Sequence, residues 1–435
     1  MDPSPRTMDR KAVGAWALYD FANSSFTTLV VTFVYGTLFA SYIAPDEATG
    51  QTQWAIGLGI SAALIALLSP VLGAIADRGG YRKRFLFWTT VVCVVGTAVL
   101  FFPQQGDVVF ALAAFVVANV AFEVGIVFYN AFLPALAPPE RIGRVSGWGW
   151  SLGYVGGLLC LGVALVVFVQ PETPPLGLDK DTFAHVRATN LLVAVWFALF
   201  AIPAFLVLEE PPRKEPEGLE AREAVVRGAF RQFGRTFRDI KHYRQIVKLL
   251  VARVFYNDGL VTVISFGGIY AAGVLGFETE DVLIFGIVLN VAAAVGAAIF
   301  GFVDDALGGK KTVLITVVGL FAASALAIAT TSATLFWVAG ILIGLLLGPN
   351  QAASRSLMGR FVPPAKENEF FGFFAFSGKA TAFLGPALLA PITAAFGQRA
   401  GISVVLVFFL VGGVLLLSLD EEEGLRVAKE GVAPP

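Results

Sequence analysis

The stretch Gly73-Ala-Ile-Ala-Asp77-Arg78-Gly-Gly80-Tyr-Arg82-Lys83-Arg84 separates two long apolar runs, and Gly301-Phe-Val-Asp-Asp305-Ala306-Leu-Gly308-Gly-Lys310-Lys311 separates two more. At a single offset Gly73 aligns with Gly301, Asp77 with Asp305, Gly80 with Gly308 and Lys83 with Lys311. Nearly the same offset joins PPERIGRVSGWGWSLG (138–153) to PPAKENEFFGFFAFSG (363–378), where Pro138, Pro139, Arg141, Gly147 and Gly153 meet Pro363, Pro364, Lys366, Gly372 and Gly378. One such match could arise by chance. Two in equivalent loops mark an internal duplication of a larger unit.

The apolar runs say what that unit is. Hydrophobic residues make up 57% of the 435-residue chain and charged residues 14%, against roughly 25% charged in soluble domains. A membrane crossing needs about 20 apolar residues in a helix. Twelve such runs occur, at 13–43, 54–76, 85–102, 108–134, 146–170 and 190–208, then 245–275, 281–303, 312–331, 333–358, 369–394 and 400–419. They are too long and continuous for the alternating strands of a membrane barrel. The expected fold is therefore an all-α membrane protein of twelve transmembrane helices in two six-helix pseudo-repeats.

Basic residues orient it. Of the 31 Lys and Arg, only Lys180, Arg187 and Arg399 fall in the loops on one side, and Arg253, Arg355 and Lys379 fall inside runs. All others gather on the side of both termini, which the positive-inside rule makes cytoplasmic. In a prokaryote the host bilayer would be the cell (inner) membrane. The chain then divides into a cytoplasmic N-terminus (1–12), a first six-helix half (13–208), a linker (209–244), a second half (245–419) and a cytoplasmic tail (420–435). Residues 1–12 are polar and the first run is long, so no cleavable signal peptide is expected. In the linker, Val226, Phe230, Phe233, Phe237 and Ile240 recur at helical spacing, with Arg227, Arg231, Arg235, Arg238 and Lys241 between them. That pattern fits an amphipathic helix on anionic lipid, or a solvated connector.

Two six-helix repeats joined by a cytoplasmic linker resemble the major facilitator superfamily of secondary transporters, and the loop at 73–83 is similar to its signature. The resemblance implies a cytoplasmic latch: Gly73 and Asp77 meeting a helix of the other half, and Arg78 and Arg82 pairing with nearby acids. In the second copy Asp305 is present, but Ala306 replaces the arginine, so a thinner latch is expected there. A narrower resemblance lies in Trp16-Ala-Leu-Tyr-Asp20-Phe-Ala-Asn23-Ser-Ser-Phe26, which is similar to a motif of the autophagy-related vacuolar amino-acid effluxers and their bacterial relatives. Amino-acid efflux is what that branch implies.

Ionisable and polar residues at membrane depth are functional candidates because they are expensive there. Asp20 and Asn23 share a face of run one. Glu123, Tyr129 and Asn130 lie on run four, Arg253, Tyr256, Asn257 and Asp258 on run seven, Asn350, Gln351 and Arg355 on run ten, and Lys379 on run eleven. Counting from the cytoplasmic ends places Glu123 and Lys379 near the midplane. A carboxyl in low dielectric holds its proton tightly and a nearby cation loosens that hold, so Glu123 is the candidate proton-coupling site. Lys379 and Arg355 could modulate it, bind a substrate carboxylate, or form a fixed ion pair. Asp20 with Arg253 could form a cytoplasmic gate, and Arg355 could simply snorkel to the interface.

Function follows in outline: a secondary transporter of a small polar or zwitterionic metabolite, proton-coupled and monomeric, with substrate, proton and membrane lipid as partners and no nucleic acid. The 39 phenylalanines leave room for an alternative, export of amphiphilic drugs or lysolipids. A membrane-embedded enzyme or sensor is a remote third, since no catalytic constellation, Walker loop or metal-ligand spacing is present. No cofactor is expected, and Cys93 and Cys160 read as packing residues.

Overall fold

The computed structural model describes residues 8–210, 228, 231, 234, 236, 238, 241–364, 366–381 and 384–430. Eleven helices among them are long and apolar enough to cross a membrane. In chain order these are α1 (Arg10–Ile43), α2 (Glu47–Gly79), α4 (Val108–Leu136), α5 (Ile142–Val169), α6 (Ala184–Val207), α7 (Arg244–Leu275), α8 (Thr279–Leu307), α9 (Gly309–Ala329), α10 (Ala333–Phe361), α11 (Glu367–Phe396) and α12 (Gln398–Leu417). The remaining crossing of the twelve-helix fold is α3 (Arg82–Val99), shorter and opened by three basic residues, and packed along α4 and α6. A short helix, α13 (Glu421–Glu430), follows α12. No strand occurs among the described residues.

The sequence repeat has a direct backbone reason. Gly80 ends α2 at φ 68°, and its counterpart Gly308 ends α8 at φ 89°. Both bonds turn through the region that glycine enters without steric cost. Helix starts are capped where water reaches them: Asp46 accepts from the Thr49 amide at 2.9 Å, and Asp9 from the Lys11 amide at 2.8 Å.

Two hydrophobic cores form, one within α1–α6 and one within α7–α12, the second reaching across to Val127 and Ala131 of α4. The halves meet where α5 lies beside α8 and α10, and where α11 lies beside α2 and α4. Glycines make the α5 contacts close: Gly147 sits against the Ala297 carbonyl of α8, and Gly156 against Phe21 of α1.

The first and last described residues of the chain and the described residues that flank the linker lie on one face, called here the linker face. Each half closes that face in the same way. After α6, Glu210 accepts from the Lys83 amide at 2.9 Å while Lys83 Nζ donates to the Leu208 carbonyl. After α12, Glu421 accepts from the Gly309 and Lys310 amides at 2.8 and 3.1 Å while Lys310 Nζ donates to the Leu419 carbonyl. In each case a carboxylate covers the open amides at a helix start, which attract negative charge. Burial holds the Glu210 carboxyl above the usual carboxylate range, against the pull of the Lys83 amide.

Two expectations change. Run eleven is interrupted within α11: the described residues are helical over Glu367–Lys379 and Leu384–Phe396, with Ala380 and Thr381 in a turn. Asn257 Nδ2 meets the Gly378 carbonyl at 3.4 Å, covering a backbone acceptor next to the break. The amphipathic pattern of 226–241 lies mostly outside the described residues. Residues 228, 231, 234, 236 and 238 are helical, and Thr236 is buried.

Candidate functional site

Three polar tiers run inward from the linker face, and each joins the two halves. In the outermost, Asp77 of α2 caps α11. Its carboxylate accepts from the Asn368 amide at 3.1 Å, Asn368 Nδ2 at 2.7 Å and the Glu369 amide at 2.8 Å. Arg82 reaches Glu367 at 3.1 Å. Gly73 lies directly against the Asn368 backbone, where no Cβ fits. Arg78 lies beside Gly228 of the linker.

The second copy is not thinner. Asp305 caps α5 through the Gly143 amide at 2.9 Å and the Arg144 amide at 3.3 Å, and Arg144 Nε pairs with the same carboxylate. The arginine missing at Ala306 is supplied from another helix: Arg360 of α10 pairs with Asp304 at 2.6 Å and stands 3.8 Å from Asp305. Each signature aspartate thus accepts from amides at the start of a helix of the opposite half, where no intrahelical partner is available.

In the second tier Asp20 pairs with Arg355, not with Arg253. Arg355 Nη1 is 3.0 Å from Asp20 and 3.3 Å from Asn130 Oδ1. Its Nε and Nη2 donate to Ser146 Oγ at 2.9 Å and to the Ser146 carbonyl at 2.7 Å. The guanidinium carbon lies 4.7 Å from the Trp16 ring, 5.8 Å from Tyr129 and 5.6 Å from Trp150. Arg355 therefore does not snorkel: it is 3% exposed, held by hydrogen bonds and ring faces that outweigh its hydration. Trp16 and Tyr129 form a rigid unit, stacked at 4.5 Å with reciprocal side-chain-to-carbonyl hydrogen bonds of 3.0 Å. Asn23 lies beside Asp20 at 3.5 Å.

The third tier holds Glu123 of α4 and Lys379 of α11, paired at 2.6 Å and partly exposed, at 20% and 32% of their side chains. Around them, Gln351 Nε2 is 3.4 Å from Asn257 Oδ1. Arg253 lies flat on the Phe374 ring at 3.8 Å and donates to the Phe374 carbonyl and Ser377 Oγ, both at 2.9 Å. Its stacking on α11 keeps it from Asp20. Asp258 accepts from Thr381 at 3.4 Å, at the α11 break. Two candidates turn inward instead: Asn350 donates to Thr316 of α9, and Tyr256 bonds Ser354, at 2.9 Å each.

Sequence reasoning singled out neither Trp150, Ser146 and Arg144 nor Asp304, Arg360 and Glu367. Asp304 adjoins the repeat aspartate and Trp16 opens the motif quoted above. Trp150 and Ser146 carry no periodic or charged signal of their own, and only their approach to Arg355 reveals them.

Comparison with known proteins follows the same lines. The family described as "Vacuole effluxer Atg22 like" has a sequence profile that matches residues 42–143 and 139–429. An uncharacterized MFS-type transporter of Bacillus subtilis (strain 168), YxiO, is 30% identical over 430 residues, 97% of each chain. Autophagy-related protein 22 of Coccidioides immitis (strain RS) is 22% identical over 448 residues, covering 85% of this chain and 72% of that protein. Among solved structures, the MFS proton:xylose symporter XylE superposes with a TM-score of 0.70 at 13% identity, over 97% of this chain and 98% of that one. The Escherichia coli fucose:proton symporter FucP gives 0.70 at 13%, over 94% and 98%. These structural matches speak for the fold alone.

Proposed function

The chain belongs to the vacuole effluxer Atg22-like family of major facilitator transporters, and from that premise we propose that it is a secondary active transporter moving a small polar or zwitterionic metabolite, coupled to protons, by alternating access. The linker face is the cytoplasmic one in this proposal, as the basic residues suggest, and the state described here is closed on that face. Efflux is the direction that the vacuole-effluxer family description brings to it, and an amino acid is the zwitterion that the resemblance of the motif at 16–26 implies.

The observation that carries the proposal is the Glu123–Lys379 pair. It spans the two halves at 2.6 Å and both partners keep partial exposure, so it is placed where a substrate could reach it. A substrate carboxylate would meet Lys379 in place of Glu123, whose displaced carboxyl is then free to take up a proton. Rocking of the halves separates the pair, and separation changes the charge that surrounds Glu123, which is how a carboxyl binds and releases a proton through a cycle. Asn257 and Gln351 are neighbouring donors and acceptors.

Uptake into proteoliposomes, with and without a pH gradient, tests this. Glu123→Gln is expected to abolish gradient-driven flux and to leave substrate exchange intact. Undiminished driven flux in that variant removes Glu123 from coupling. The apolar cavity lined by Val263, Tyr270, Phe285 and Phe336 lies inside the second half, off the interface between halves, and does not favour an amphiphile route.

A further inference from the structure

We infer that the Arg355 seat is a cation-binding subsite of the first half: Trp16, Tyr129, Trp150 and Asp20 form a cup for an organic cation bearing a guanidinium or alkylammonium group, which Arg355 of the second half fills as a tethered ligand when the linker face is closed. This rests on the alternating-access reading above.

The cup is complete without its occupant. Trp16 and Tyr129 are locked to each other by stacking and by two reciprocal hydrogen bonds. Tyr19 stacks on Tyr129 from behind at 5.0 Å and is fixed by Thr90 at 2.7 Å. Gly149 forms the remaining wall, where a Cβ would lie 2.8 Å from Arg355 Nη2. All these residues belong to α1, α3, α4 and α5. The Trp16–Tyr129–Tyr19 stack is held by contacts within the first half.

The occupant is held as a ligand is held. Its guanidinium meets one carboxylate, one amide oxygen, one hydroxyl, one carbonyl and three ring faces, all from the other half. A cation over aromatic faces, desolvated and paired with a carboxylate, is a strong recognition mode. When the halves part on this face, α10 withdraws Arg355. A carboxylate is left in an aromatic cup, where an external cation of similar shape recovers the ion pair and the ring contacts that Arg355 made. One seat admits one cation. Cargo in the cup holds the face open, and Arg355 expels it on closing.

The full-length protein in detergent tests this by intrinsic tryptophan fluorescence. Arg355→Ala is titrated with guanidinium chloride well below denaturing levels, and separately with tetramethylammonium chloride, sodium chloride keeping ionic strength constant. Saturable quenching is expected with at least one cation, about tenfold tighter than in the wild type or in Arg355→Ala/Trp16→Leu. Guanidinium binding ahead of tetramethylammonium identifies a hydrogen-bonding cation as the ligand class, and the reverse order a methylated one. Non-saturating quenching, alike in all three proteins, overturns the proposal. If Arg355→Ala fails to fold, Asp77→Asn loosens the latch with Arg355 retained, and maleimide labelling of Ile142→Cys reports opening. Guanidinium should then speed labelling beyond sodium; equal rates overturn the proposal. Neither readout requires flux. Saturable binding without transport of any solute removes the transport reading and keeps the cup, and transport without saturable binding does the converse.

Discussion

Asp20 on α1 and Arg355 on α10 stand 3.0 Å apart with 11% and 4% of their side chains exposed, an ion pair buried between the two halves. Removing one partner strands the other charge out of water, a loss of about 3–5 kcal/mol. Asp20→Leu and Arg355→Met should each lower thermal unfolding temperature strongly. The double variant Asp20→Leu/Arg355→Met should lose less than the two singles added together. Additive losses would mean that the two charges do not couple.

The two latches should behave alike. Asp77 and Asp305 each accept from the free amides of a helix start in the opposite half, an interaction of about 1 kcal/mol. Ile142 is 1% exposed and packs near Gly359 of α10, and both native cysteines are buried. Maleimide labelling of Ile142→Cys should rise in Asp77→Ala and, to a similar degree, in Asp305→Ala. A rise in only the first would show that the copy with Ala306 does no latching.

Helix approach makes a steric prediction. Gly73 lies on the Asn368 backbone, whereas Gly59 on the same helix has nothing within 4 Å of an added Cβ. Gly73→Val should prevent α2 and α11 from closing and raise Ile142→Cys labelling, while Gly59→Val should leave it near the parent value. Equal labelling in the two variants would detach Gly73 from closure.

For the midplane pair the prediction concerns flux. Lys379→Met leaves Glu123 without its 2.6 Å partner and should reduce gradient-driven transport at least about tenfold, a loss of the size a lost charge pair carries. Lys379→Arg keeps the charge and should retain most of it. A Lys379→Met protein that transports as well as the parent would leave the pair a structural contact only.

The repeated carboxylate clamps predict matched effects on stability. Glu210→Ala and Glu421→Ala each uncover the start of the third helix of one half and should cost about 1 kcal/mol in detergent unfolding. A much larger loss from one of them would mean that it carries contacts beyond the cap.

Much of this architecture is legible in sequence because a bilayer leaves few options. Twelve apolar runs and two copies of a glycine–aspartate loop lead to the twelve-helix fold, and Gly80 and Gly308 show why the copies keep glycine at one place. Asp20, Glu123, Asn130, Arg355 and Lys379 also lie where the halves meet. Which of them pair was not legible. Asp20 was matched with Arg253 by estimated depth, but depth along a helix leaves rotation open, and Arg253 turns onto Phe374 of α11. The Ala306 copy looked incomplete because the arginine beside Asp304 comes from residue 360, far along the chain. The α11 break at Ala380–Thr381 is signalled by Gly385 and Pro386 just after it, since a proline removes the helical bond to the residue four before it, but a count of apolar runs passes over that signal.

The outer tier joins the halves through carboxylates, guanidinium groups and helix-end amides. Water can satisfy every one of those groups as they separate, so a hydrogen bond there is worth only about 1 kcal/mol net. Where water replaces each departing partner, the separation of these polar groups meets a shallow free-energy slope. In the proposed alternating-access cycle, small biases such as a single cation seated or a single proton taken up are then large enough to tip the molecule from one resting shape to the other.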